Sequence, residues 1–136
     1  MIRKDYILRM VEEFAKFLSA IVGLKREGKF DEALRKIDEA YKKLFDLDPI
    51  VLKSVDSSEL LDFLQTEKGY SNNYLKMVAE MLFEEGQIYD NTGDPISARN
   101  VLEKSKMLIN HVMENDATFS FDWYEKLSVI DSILNR

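Results

Sequence analysis

Few side chains in this chain of 136 residues are of types that carry chemistry, and their spacing limits what they can do. His111 is the single histidine and cysteine is absent, so a metal centre would have to be completed by carboxylates. A di-iron site of the ferritin kind takes a glutamate three residues before a histidine on each of two helices, and Leu108 stands at that place here. His111 therefore supplies at most one ligand. The plainer reading is a surface or partly buried imidazole making one hydrogen bond, and no metal ligand set is assigned. Carboxylates are paired at Glu12-Glu13, Asp31-Glu32 and Glu84-Glu85. Neighbours on a helix diverge by about 100°, so no pair converges by itself on a reacting atom, and solvated helix faces account for them. No G-x-S-x-G, P-loop or G-x-G-x-x-G pattern occurs among the five glycines, and no catalytic or cofactor-binding residue is assigned. A non-catalytic protein is the expectation.

Charge and composition narrow the partners. With 19 basic against 25 acidic side chains the net charge is −6, a field that repels nucleic-acid phosphates and anionic membrane surfaces. Hydrophobic residues make up 46% of the chain and Gly plus Pro only seven positions, which favours long regular elements over disorder. The charges of Arg3, Lys4, Asp5, Glu12 and Glu13 interrupt any signal-peptide core. The most apolar run, Phe14 to Leu24, contains Lys16 and falls short of the roughly 20 residues that span a bilayer. Lack of cysteine fits a reducing compartment, so a cytoplasmic location is expected.

The elements that position these residues read as helices throughout, one domain over residues 1–136. Ile7, Met10, Val11, Phe14, Leu18, Ile21 and Val22 recur at three- and four-residue spacing from about Lys4 to Arg26. With Tyr6, Phe17, Ala20 and Leu24 beside them, the apolar arc covers roughly two-thirds of the helix circumference. Such a helix needs several neighbours, or a second copy of the chain, to cover it. Gly28 closes it, and a second helix carries Ala33, Leu34, Ile37, Ala40, Tyr41, Leu44 and Phe45. Asp48-Pro49 opens a short turn to Lys53, and Asp56-Ser57-Ser58-Glu59, with capping-box spacing, opens a short helix to Thr66. After the Lys68-Gly69 turn, Leu75 to Tyr89 line a further helix. Thr92-Gly93-Asp94-Pro95 repeats the stop-and-cap signal before Ile96 to Glu114. A last helix, capped by Ser120, turns Phe121, Tyr124, Leu127, Ile130, Ile133 and Leu134 inward. The best strand candidate, Thr118 to Phe121, is too short.

An internal repeat underlies this order. Gly28, Ala33, Ile37 and Ala40 have the spacing of Gly93, Ala98, Leu102 and Ser105; Leu24 and Tyr89 each precede the small residue by nine. This pattern resembles the second helix of a tetratricopeptide repeat, where alanine lets two backbones approach and the large residue four later fills the next groove. Leu82, Gly86 and Tyr89 stand where that family has Trp, Gly and Tyr. The resemblance covers two hairpins, about half the chain, and departs from the family in four ways. The first hairpin lacks the glycine, Glu85 replaces a usual leucine, Pro49 comes four residues late, and Ala33 and Ala98 lie 65 residues apart instead of about 34. The excess reads as an inserted helix. The expected architecture is all-α: about six helices, two degenerate tetratricopeptide-like hairpins, an insertion and a C-terminal capping helix, with a generic helical bundle as the alternative. The chain is also similar to small uncharacterised bacterial helical proteins.

The resemblance implies a role in binding proteins along the first helix of each hairpin. Positions carried over to this groove are Glu80, Phe83, Glu84, Gln87 and Asn91, with Leu18, Ser19, Val22 and Arg26 from the first hairpin. The strip is half apolar and half acidic, suits a basic or amphipathic segment, and lacks the Lys and Asn residues that clamp a terminal carboxylate; the alternative is that the chain's own third or last helix fills it. The expected function is an adaptor or scaffold. A self-associating protein, hence a homodimer, is the alternative, and a small-molecule enzyme or ligand binder ranks last. The cluster Phe119, Phe121, Trp123 and Tyr124 offers a second interface, against the plainer reading that the last helix docks its aromatic face on the stack.

Overall fold

The computed structural model of the chain describes residues 2–115 and 121–136, with side chains over 5–115 and 122–136. Among these residues the chain is all-helical, with seven α-helices and no strand. They are α1 (Ile2–Arg26), α2 (Phe30–Phe45), α3 (Pro49–Ser54), α4 (Ser57–Asp62), α5 (Asn72–Asn91), α6 (Pro95–Asn115) and α7 (Phe121–Leu134); α4 runs on into a wider π-turn over Phe63–Glu67. No helix among the described residues is long and apolar enough to cross a membrane. Inside the span read as one domain lie two compact units, Met1–Leu52 and Lys53–Arg136, with α3 running across their boundary.

In the first unit α1 and α2 pack as a hairpin, and the ammonium of Lys36 sits 4.9 Å from the centre of the Phe17 ring. The apolar stripe of α2 buries Ala33, Ile37, Ala40, Tyr41, Leu44 and Phe45, as its periodicity requires. On α1 the stripe is narrower than expected: Met10, Phe14 and Ile21 are buried, Ile7, Leu18 and Val22 are half-exposed, and Val11 faces solvent. α1 has 25 residues and α2 only 16, so α2 is too short to cover the whole of α1.

The second unit is organised on α5, which buries Leu75, Met77, Val78, Ala79, Met81, Leu82, Phe83, Glu84, Glu85, Gly86 and Ile88. α5 and α6 run antiparallel, as the pairings of Gly86 with Leu102 and of Ala79 with Ser105 show. α6 also packs on α4 and α7, and α7 touches α5. Ser105 takes the place that Ala40 has in α2, and its hydroxyl donates to the Ala79 carbonyl at 2.8 Å, so the extra polar atom is satisfied where two backbones meet.

Both hairpins close with the same turn. The amide of Lys29 donates to the Leu24 carbonyl and that of Asp94 to the Tyr89 carbonyl, each at 2.9 Å, while Gly28 and Gly93 reach back to Lys25 and Asp90. This is the Schellman arrangement, and it needs a left-handed residue, here Gly28 at φ 75° and Gly93 at φ 77°. The next helix then opens identically, Ala33 donating to Lys29 and Ala98 to Asp94, both at 3.0 Å. The capping signals act as their residue types dictate at two places: Asp48 accepts from the Ile50 amide at 2.9 Å and Asp94 from the Ser97 amide at 3.1 Å. Asp56 differs. It sits at the start of α4, yet its carboxylate makes no cap hydrogen bond, and the Glu59 amide bonds the Asp56 carbonyl instead.

Candidate functional site

The carried-over groove residues of the second unit converge on α7. Glu80 lies 4.0 Å from the Lys126 ammonium, which is itself 5.5 Å from the Phe83 ring centre and 5.7 Å from that of Trp123. Lys126 also pairs with Asp122 at 3.0 Å and keeps only 15% of its side chain exposed. One turn on, Gln87 and Asn91 line an open groove of about 380 Å³ whose other wall is Ser128, Val129, Ser132 and Ile133 of α7. The face of α5 read as a partner groove is thus covered by the chain's last helix at Glu80 and Phe83 and left as an open groove at Gln87 and Asn91. Glu84 is buried at 8% exposure. Leu18 and Val22 stand half-exposed on α1, in the other unit.

Helical geometry explains which residues of α7 turn inward. Trp123, Lys126, Leu127, Ile130, Ile133 and Leu134 fall within about 60° of one direction at 100° per residue, and Ile130 is fully buried. Tyr124 lies about 120° from Ile130 and is 49% exposed, so the inward place assigned to it belongs to Trp123. Ser120, Phe119 and the Phe121 side chain lie outside the described residues. Polar contacts hold the C-terminal half of α7: Lys106 to Asp131 at 2.6 Å, Arg99 to the Leu134 carbonyl at 2.6 Å and Arg136 to Asp90 at 2.7 Å.

Burial raises the Glu80 carboxyl above the usual carboxylate range; the Lys126 charge opposes this only in part, and Asp122 and Glu84 add to it. A carboxylate whose folded pKa exceeds its unfolded one binds more protons in the folded state, so stability falls as pH rises between the two values. Glu80→Gln should therefore raise the melting temperature at pH 7, and the gain should vanish at about pH 4 and below, where both states are protonated. Thermal melts at the two pH values check this; an equal gain at both would mean that ionisation is not the cause.

The expectation that Glu84-Glu85 lies on a solvated face is corrected by the structure, whereas Glu12, Glu13, Asp31 and Glu32 are exposed. Glu85 is fully buried, 2.6 Å from the Lys53 ammonium and 3.1 Å from the Tyr89 hydroxyl that donates to it. The Lys53 backbone carbonyl, at the C-terminal end of α3, accepts from Lys104 at 3.0 Å and Asn100 at 3.2 Å, and Lys104 also bonds the Asn100 side chain. Helix ends leave such carbonyls unsatisfied; here two α6 side chains reach one of them. Burial lowers the Lys104 pKa, and burial followed by the Glu85 charge raises that of Tyr89, which keeps the phenol a donor at neutral pH. The cluster ties α3 and α5 to α6.

No family model, no curated protein and no solved structure matches this chain. Its geometry alone bears on function. His111 is half-buried, its Nε2 3.2 Å from the Gln65 amide nitrogen and its Nδ1 3.4 Å from that of Asn115. It borders an open groove of about 570 Å³ with Leu61, Glu103, Lys106 and Glu114. Among the described residues no three His, Cys, Asp or Glu side chains converge as a metal site would require.

Proposed function

We propose that the chain is a non-catalytic, tetratricopeptide-like module that binds another protein through the α5 face of its second hairpin. The single observation that carries this reading is the occupant of that face: a helix already lies against Glu80 and Phe83, anchored by a lysine, and leaves an open groove beside Gln87 and Asn91. A surface that seats one helix through a nearly buried lysine has the shape to seat another that presents a cation at that place. The matching Schellman turns and the close approach of Gly86 to Leu102 support the hairpin assignment. The experiment is affinity capture on the full chain and on Glu80→Lys with Asn91→Lys. Charge reversal should cut retention of a genuine groove partner at least about tenfold, the equivalent of 1.4 kcal/mol. Partners retained equally by both chains would place binding elsewhere.

Self-association is the second reading, favoured by Tyr6, Leu8 and Val11, exposed along α1. A light-scattering mass at micromolar concentration equal to one 15.9 kDa chain would remove it.

A further inference from the structure

We infer that α7 is a displaceable, built-in occupant of the α5 groove, and that the partner which displaces it is an amphipathic helix presenting lysine or arginine in the place of Lys126. The inference rests on reading α5 as the partner-binding face and adds how that face is regulated.

Three observations converge. First, the seat is made for a cation: Lys126 lies over both Phe83 and Trp123, within reach of Glu80 and Asp122, and is almost withdrawn from water. α7 as a whole is acidic, with Asp122, Glu125 and Asp131 against Lys126, so the lysine in this seat is the charge by which it complements Glu80. Second, the seat is shallow. Ile130 is the one fully buried side chain among those described on α7, whereas α5 buries eleven residues over 20 positions. Apolar burial is the main force holding a helix in place, so α7 is held far less firmly than the helix under it. Third, the polar attachments beyond the packing of α7 on α6 lie largely in solvent: Lys106 and Asp131 are 40% and 45% exposed, Arg136, paired with Asp90, is 62% exposed, and Arg99, 56% exposed, reaches the Leu134 carbonyl. Exposed pairs of this kind contribute little to stability. A competing helix that supplied the cation and a larger apolar face would replace α7, covering in its stead the surface of α6 on which α7 also packs. While α7 is docked, the groove is available only in the fraction of molecules that have released it, and partner affinity is reduced by that fraction.

Trp123 is the only tryptophan in the chain and lies on α7, so its fluorescence reports docking in the intact protein. The test compares the full chain with Lys126→Glu, which sets like charge against Glu80 and Asp122, and with Lys126→Glu combined with Glu80→Lys. The probe is a fluorescein-labelled synthetic helix with the sequence of residues 121–136 and Trp123→Phe. In Lys126→Glu, Trp123 emission should shift to the red and acrylamide quenching rise at least about twofold, with ellipticity at 222 nm largely kept. The same chain should bind the probe at least about tenfold more tightly than the parent, by removal of the internal competitor. The charge-swapped pair should restore parental emission. The probe added to the parent should itself shift Trp123 to the red. If Lys126→Glu leaves emission and quenching unchanged, α7 is not held by this seat and the inference is overturned, while the capture experiment above still stands or falls on its own. If Trp123 is released but the probe does not bind, the groove reading fails with it. A light-scattering dimer formed on release of α7 assigns the groove to a second copy's α7 and overturns the partner-helix assignment.

Discussion

Replacing Lys53 with alanine is expected to lower the unfolding free energy by about 3 kcal/mol. Glu85 carries the reason. Its side chain is 1% exposed and reaches the Lys53 ammonium at 2.6 Å, and substitution removes that cation from a buried carboxylate. Breaking a buried pair on one side typically costs about 3–5 kcal/mol. Lys53 is 28% exposed, so water entering the vacated space relieves part of the penalty and puts the expectation at the low end of that range. The lysine's backbone carbonyl, which Lys104 and Asn100 hold, survives the substitution, so the loss reports on the ion pair. The double substitution Lys53→Met with Glu85→Leu removes both charges at similar volume and should recover most of the stability. Urea denaturation of the three variants, with equal slopes, measures it. A loss below about 1 kcal/mol in Lys53→Ala would show that the pair is no more than a surface contact.

That pair also marks the limit of what was legible in the sequence. Helix boundaries were readable because their signals are local: Gly28 and Gly93 occupy left-handed positions that few other residues tolerate, and Pro49 and Pro95 begin helices where a missing amide costs nothing. The core face of α2 follows from period alone. The burial of Glu84 and Glu85 does not, because an acidic pair on a helix is the common mark of a solvated face. What reverses it is Lys53, 32 positions earlier, whose approach is a tertiary fact. Val11 and Tyr124 fail in the opposite direction: each extends an apolar stripe in the sequence and faces solvent in the structure, since period says which residues share a face but not how wide the neighbouring helix is. The groove residues on α5 were nameable only through the register set by Ala98, and the sequence left open whether a foreign segment or the chain's own third or last helix fills the groove. In the structure α7 lies against it with Lys126 over Phe83, although α7 as a whole is acidic, so charge did not single it out.

The same register makes Gly86 the second sensitive position. Its Cα lies so close to α6 that a Cβ built there would overlap the side chain of the fully buried Leu102. Two effects compete on substitution. Any side chain other than glycine gains helix propensity, about 1 kcal/mol for alanine, and overpacking opposes it by about 1–3 kcal/mol. Gly86→Ala should therefore be mildly destabilising. In Gly86→Leu the added volume forces α5 and α6 apart, and a loss of about 3 kcal/mol is expected. If the cause is this contact, shrinking the partner must relieve it. Leu102→Ala alone leaves a cavity and costs about 2–5 kcal/mol, yet Gly86→Leu with Leu102→Ala moves the bulk from one helix to the other and should cost at least about 1.5 kcal/mol less than the two single losses together. Ser105→Ala, one turn along α6 and without contact to Gly86, should show no such coupling to Gly86→Leu. A double-mutant cycle by chemical denaturation decides it: additive losses for the 86–102 pair would mean that the helices are not held at the separation set by the glycine, and the tetratricopeptide-like reading of the hairpin would lose its best structural support.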